Sequence, residues 1–478
     1  MEIFAFVIFL AIFTAIGILS SKRNSSQNAD NDLDYLLAGR DVSPLLTALS
    51  AAATKYSGYM FIALMGYIYT YGLSAIWLIF GFLFGDLVAF YFVHAKVREQ
   101  AEKSNAMSFA DLISRWHGGD YRILRAAIGI ISLVFLATYA AAQFNAGGKA
   151  LYVLFGWHYN VGIIIGAGLI LSYCLTGGLR ASIWTDAAQS VVMISALIIL
   201  LVASVNAAGG IGDFTTNLQA VSPNYMGLGV ERFGSLGATA LFAFGWLFNG
   251  LGVTGQPHIM IRFMVLDQPK NMLRTGVYYF TWSSCFLALV LAVGLATRLY
   301  ITNMANFDPE LALPMLAKQL LPNIALGVIM GGIFAAIMST TDSQILNCSA
   351  VLSEDFKLAK GRHAKWMITL GVTLVALSIS LFAGASVFTL VILAWSALSS
   401  TIGPLVLVHA LGKRPPEWLA LVMMASGLIT VLAWRYVGLN VQVYEALPGM
   451  LVPGVVYAVG SLFTAKASAN NFAPTKEI

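Results

Sequence analysis

Of the 478 residues, 59% are hydrophobic and only 10% are charged, and the mean hydropathy is +0.79. That balance excludes an ordinary soluble domain and defines a chain that crosses a bilayer many times. The formal net charge of +5 is spread over short loops, with no basic block suited to a nucleic acid.

Thirteen apolar stretches of about 18 to 30 residues follow one another, near 2–20, 44–70, 74–95, 123–155, 160–179, 183–208, 234–264, 271–302, 322–352, 364–384, 386–412, 417–437 and 442–465. Strands of a barrel would show alternating segments of about ten residues, so the expected fold class is an all-α polytopic membrane protein with about 13 transmembrane helices. The first stretch begins at Met1 without a basic lead or a small-residue cleavage site and reads as a retained helix. A polar loop of mixed sign follows it.

Span 2 carries Thr54-Lys55-Tyr56-Ser57-Gly58 at its centre. Lys55 lies about eleven residues from the entry at Pro44, and at roughly 1.5 Å per residue this places it near the bilayer midplane. A charge there costs about 2.5 to 3.5 kcal/mol and requires a partner. Span 3 holds Asp86 at a similar depth, either as a satisfied structural group or as a proton carrier. The stretch MSFADLISRWHGG after span 3 predicts a short amphipathic helix on the membrane face. Span 4 contains Tyr139, Gln143 and Asn145, and span 6 opens with Trp184-Thr185-Asp186. In span 7, Gly250, Gly252, Gly255 and Pro257 fall within eight residues and predict a discontinuous helix. An amphipathic stretch from Asp308 to Leu321 predicts an external helix before span 9.

The 27 lysines and arginines report the orientation. With the N-terminus outside, external segments hold only Lys149, Arg232, Arg298, Lys318 and Arg435, Lys55 belongs to neither side, and the others are cytoplasmic. The chain is expected in the cytoplasmic membrane of a bacterial cell, with its C-terminus inside. Cys174, Cys285 and Cys348 all fall inside spans, with no disulfide framework and no metal-ligand spacing.

Spans 2 and 7, five apart and running in opposite directions, are the interrupted members of an inverted pair, and such a pair marks the central site of a transporter. The expected organisation is an extra helix at 1–20, a five-helix repeat at 44–208, an external loop at 209–233, a second, inverted repeat at 234–412, two further spans at 417–465 and a cytoplasmic tail at 466–478.

The chain resembles the sodium/solute symporter family. The resemblance is carried by Thr47-Ala-Leu-Ser-Ala, Ser57-Gly58, Trp184-Thr185-Asp186 with Gln189, Gly255-Gln-Pro-His with Arg262-Phe-Met, and Ala335-Ala-Ile-Met-Ser-Thr-Thr-Asp-Ser-Gln344 followed by Ser353-Glu-Asp. It implies a LeuT-like 5+5 inverted repeat that moves a small organic solute by alternating access, usually driven by Na+. It also implies a main cation site at Ala53, Tyr56, Ala336, Ser339 and Thr340, and a second ion-coupling group at Asp186, Asp342 and Ser343. Lys55 departs from the pattern, because the sodium/proline members have an aspartate at the matching position.

A lysine ammonium is a compact cation with three donors, so Lys55 is expected to stand in for Na+ in the main cation site, with Asp342 or Asp186 as counter-charge. No metal is needed there if it does. Transport would then be independent of Na+, and a titrating Lys55 would couple it to H+. The solute site is expected at Ser57, Tyr59, Tyr139, Gln143, Trp246, Asn249 and Gly250, an amide-rich set suited to an amino acid or small carboxylate. A conventional Na+ symporter using Asp186, Asp342 and Ser343 stays open as an alternative, as does a solute-sensing receptor for a separate partner. No nucleophile and base pair or phosphate loop is present, so neither enzymatic activity nor a cofactor is expected, with Na+ or H+ as the only coupling ion. The expected partners are a small solute and the lipid bilayer, with no obligatory protein partner.

Overall fold

The computed structural model describes residues 2–22, 36–174, 178–302, 307–358, 362–382, 384 and 386–470. Most of the polar loop after span 1 and the end of the tail lie outside them. Among the described residues the chain is helical, with one isolated bridge, Val42 to Leu266.

The chain opens with α1 (Glu2–Lys22). Span 2 then divides into α2 (Pro44–Lys55), α3 (Gly58–Phe61) and α4 (Ala63–Tyr71). A turn leads to α5 (Ile76–Ala89), which runs through a wide π turn into α6 (Ala95–Lys103), followed by the short α7 (Phe109–Ser114). Next come α8 (Arg122–Phe155), α9 (Tyr159–Cys174) and α10 (Leu179–Ala207), then the short α11 (Ile211–Ala220) and α12 (Val230–Phe233). Span 7 is α13 (Leu236–Leu251), a tight turn at Gly252–Gly255, and α14 (Pro257–Met264). The remainder is α15 (Met272–Tyr300), α16 (Ala312–Leu320), α17 (Asn323–Ala350), α18 (Arg362–Phe382), α19 (Val387–Ala410), α20 (Glu417–Tyr436) and α21 (Ala446–Asn470).

Among the described residues, ten helical stretches are long and apolar enough to cross a membrane, and two shorter apolar helices cover Tyr159–Ser172 and Trp366–Phe382. The thirteen expected spans are not matched one for one. The first half of span 2 is too short to count, and its second half runs on with span 3 as a single stretch, Gly58–Lys103.

The burial pattern explains which helices matter to a site. α17 and α19 are enclosed almost all round, whereas α1, α20 and α21 keep large apolar faces exposed, as lipid-facing helices do. α17 packs on α10, α8 and α2, and α19 lies against α8 and the turn of span 7. The expected surface helix at 107–119 is corrected: α7 is buried on every face, from Phe109 to Ser114, because it is wedged against α8 and α14 instead of lying on the membrane.

On the face that carries Asp308, the loop before α16 is tied to the bundle. Glu310 accepts from the backbone N–H groups of Val387 (3.1 Å) and Phe388 (2.8 Å) at the start of α19, and pairs with Lys149 at 2.7 Å. A carboxylate there satisfies donors that the first turn of α19 leaves open.

α5 and α13 approach each other closely. A Cβ on Gly85 would meet the Leu247 carbonyl at 2.0 Å, and one on Gly250 would meet the Phe82 carbonyl at 2.2 Å. Backbone lies on backbone here, the small-residue packing that membrane helices use in place of a hydrophobic drive. Gly250→Ala therefore forces the helices apart and is expected to cost about 1 to 3 kcal/mol, read as a lowered melting midpoint of the purified protein. An unchanged midpoint would show that the two helices are not in this register.

Candidate central site

Everything at the centre follows from the break in span 2. α2 ends at Lys55, Tyr56 leaves the helical region (φ −91°, ψ 78°), Ser57 is extended, and α3 restarts at Gly58 with the Ser57 hydroxyl capping Tyr59 N–H. The Gly58 N–H, which an unbroken helix would donate to Thr54, is taken by Gln143 Oε1 at 2.9 Å. The carbonyls freed at the end of α2 are met by α17: Ser339 Oγ donates to Ala53 O and Thr340 Oγ1 to Thr54 O, both at 2.9 Å. Two hydroxyl–carbonyl pairs therefore sit at the break, neutral oxygens of the kind that can hold a monovalent cation.

Lys55 does not enter this group. Its Nζ donates to Asp86 Oδ2 at 2.5 Å and lies 3.4 Å from Tyr56 Oη, with both Lys55 and Asp86 withdrawn from solvent. The rings of Phe82, Tyr56 and Tyr279 surround it at 4.1, 4.9 and 5.6 Å, and Tyr279 donates a second bond to Asp86 Oδ2 at 2.8 Å. Two expectations are corrected. The counter-charge is Asp86, not Asp342 or Asp186. The ammonium also points toward α5 and α15, away from the oxygens of Ala53, Ser339 and Thr340, because each step along a helix turns the side chain by about 100°. The carbonyls of residues 53 and 54 face α17, and the next side chain faces elsewhere.

The group expected to couple a second ion, Asp186 and Ser343, holds a resident cation instead. Arg262, on α14, donates through one guanidinium nitrogen to Ser182 (2.7 Å), Asp186 (3.2 Å) and Ser343 (2.5 Å), while Ser50 donates to Asp186 at 2.7 Å. Thr54 lies between them, 3.2 Å from Ser343 Oγ. Asp342 is buried beside this cluster in sequence. Arg262 was read only as part of a motif, and its reach from span 7 to Asp186 needs the fold to be seen.

Beside the break lies a small central cavity of about 20 Å³, lined by Lys55, Tyr59, Met60, Leu78, Phe82, Tyr139, Asn249, Val391, Ile392 and Trp395. Of the seven residues expected at the solute, Tyr59, Tyr139 and Asn249 are on its wall, and Ser57 lies behind Tyr139, 3.2 Å from its hydroxyl. The other three do different work. Gln143 secures the break, Trp246 stacks on Tyr444, and Gly250 makes the contact with α5. Sequence reasoning missed Phe82 and Trp395, apolar side chains that look like packing until α5 and α19 are placed opposite α2.

Two discontinuous helices beside a small central cavity mark the class: a secondary transporter. The model of the sodium:solute symporter family matches residues 35–427, and the chain belongs to that family. It is similar to the high-affinity proline transporter PutP of Bacillus subtilis, 32% identical over 446 residues that cover 91% of this chain and 92% of the relative. It is also similar to a sodium/proline symporter of Staphylococcus aureus, 30% identical over 97% of this chain and 93% of that one. A solved structure of the substrate-bound, outward-open state of a Na+-coupled sialic acid symporter matches all of the chain and 98% of its own with a TM-score of 0.80 at 20% identity, which establishes the LeuT-type fold.

The buried pair sets a stability test. Lys55→Ala strands the Asp86 carboxylate and is expected to cost about 3 to 5 kcal/mol, whereas the Lys55→Met, Asp86→Leu double variant removes both charges at similar volume and recovers most of the loss. Melting midpoints in detergent read both. A single variant as stable as the parent would contradict a charged, dry pair.

Proposed function

We propose that the protein carries a small polar organic solute, an amino acid or small carboxylate, across the cytoplasmic membrane without requiring Na+, with Lys55 supplying a resident cation beside the central cavity and outside the expected cation site. The N-terminus and the face bearing Asp308 lie outside in this reading. The observation that carries it is the Lys55 ammonium held by Asp86 on the wall of the central cavity. A second observation supports it: the Asp186 and Ser343 oxygens already serve the Arg262 guanidinium. The cavity as it stands has room for about one water molecule, so a solute enters only when the surrounding helices part, and the walls of Phe82, Tyr139 and Trp395 favour a compact apolar body. Exchange of a proton across the Lys55–Asp86 pair is the route by which H+ would couple to the cycle.

One observation favours a second reading, a conventional Na+ symporter. The Ala53, Thr54, Ser339 and Thr340 oxygens are all held at the break, and Asp86 offsets the Lys55 charge that would otherwise repel a cation there. The test is the melting midpoint across a panel of amino acids and small carboxylates in NaCl and in equimolar N-methylglucamine chloride, since a ligand of the folded state raises the midpoint by linkage. Stabilisation by a solute to the same extent in both salts is the expected outcome. Stabilisation that requires Na+ would overturn the first reading in favour of the second.

A further inference from the structure

The nine residues between α20 and α21 belong to neither interrupted helix, yet one of them reaches Asn249 on the cavity wall. Trp434 Nε1 donates to Val443 O at 2.9 Å, and Glu445 accepts from Arg435 (2.6 Å) and from Ser396 of α19 (3.1 Å), which fixes the segment on both sides of Tyr444. Tyr444 is 5% exposed. Its ring stacks on Trp246 with centroids 4.6 Å apart and planes 4° from parallel, and its hydroxyl donates to Asn249 Oδ1 at 3.2 Å. The backbone carbonyl of Asn249 is held as well, by Trp395 Nε1 at 3.0 Å. Asn249 is therefore clamped at main chain and side chain while it lines the cavity.

The direction of the Tyr444 bond decides what Asn249 offers. A side-chain amide has an acceptor end and a donor end, and here a hydroxyl donor occupies the acceptor. The Nδ2 hydrogens are left for the cavity, and no described residue accepts from them. The charged group on that wall is the Lys55 ammonium, a donor only, with Asp86 taking one of its three hydrogens. A cavity with an ammonium and a fixed amide N–H on its wall selects an acceptor, above all a carboxylate, which accepts at both oxygens.

We propose that Tyr444, outside the paired repeats, is a positioning and specificity-determining residue: by donating to Asn249 Oδ1 it turns the amide so that its N–H group binds the carboxylate of the solute. The assignment rests on the solute reading given under the proposed function. It makes the segment before α21 a support of the solute site.

The test uses matched pairs that differ only in the acid group, proline and prolinamide, alanine and alaninamide, lactate and lactamide, with apparent affinities taken from ligand-dependent melting midpoints of the full chain. The parent is expected to favour the acid of its preferred pair by tenfold or more. Tyr444→Phe keeps the stack on Trp246 and loses the donor, so the acid should bind about three- to tenfold more weakly and the acid-to-amide preference should narrow by the same factor. Asn249→Ala should narrow it likewise, and the double variant should bind no more weakly than Asn249→Ala alone, because Tyr444 acts through Asn249. A preference left intact in Tyr444→Phe, or losses that add in the double variant, would overturn the role of Tyr444 while leaving the solute reading in place. A parent stabilised by none of the acids would overturn the solute reading and this inference with it.

Discussion

A lysine and an aspartate facing each other inside a membrane protein impose a constraint that the surrounding helices must meet. Each charge alone is costly to desolvate, and the pair is tolerable only when the geometry is close and the remaining lone pairs and protons are met. Here Asp86 Oδ2 accepts from Lys55 and Tyr279, and three aromatic rings face the ammonium. To bring these groups together, α5 must lie against α13 through glycines, and α15 must pack against α2. The packing of α5 on α13 and of α15 on α2 is thus the one that satisfies this buried ion pair.

The break in span 2 is the counterpart of that constraint. A broken helix leaves carbonyls and N–H groups open, and in a bilayer each must be paired within the protein. Gln143, Ser339 and Thr340 do so from α8 and α17, which explains hydroxyl and amide residues in otherwise apolar helices. The polar groups at the centre thus divide into two sets. One set holds the backbone of the break, and the other, with Lys55, Tyr139 and Asn249, faces the cavity.

Much of this was legible in the sequence because the bilayer amplifies the cost of each polar residue. Lys55 stood out by depth, the break in span 7 by its glycines and proline, and the hydroxyls at Ser339 and Thr340 by their motif. The partner of Lys55 was not legible, since it depends on the rotation of two helices about their axes, and a shift of one residue turns a side chain by about 100°. Arg262 was hidden for a related reason: its guanidinium crosses from α14 to α10, a distance that only the packed bundle defines. Tyr444 carried no signal, because an aromatic residue near a membrane interface is ordinarily an anchor and its reach into the core depends on where α21 begins. The surface helix expected at 107–119 failed because a mixed pattern of charge and apolar residues suits a buried wedge with internal ion pairs as well as a membrane face; Asp111 is paired with Arg115 and Arg125.

The proposed independence from Na+ rests on the resident Lys55–Asp86 pair beside the cavity. It is tested most directly by solute counterflow in reconstituted vesicles. Vesicles loaded with unlabelled solute and diluted into a trace of labelled solute, with choline as the only inorganic-cation substitute, should accumulate label transiently, and added Na+ should leave the overshoot unchanged. Counterflow that is absent in choline and restored by Na+ would contradict the account and return Lys55 and Asp86 to a purely structural role.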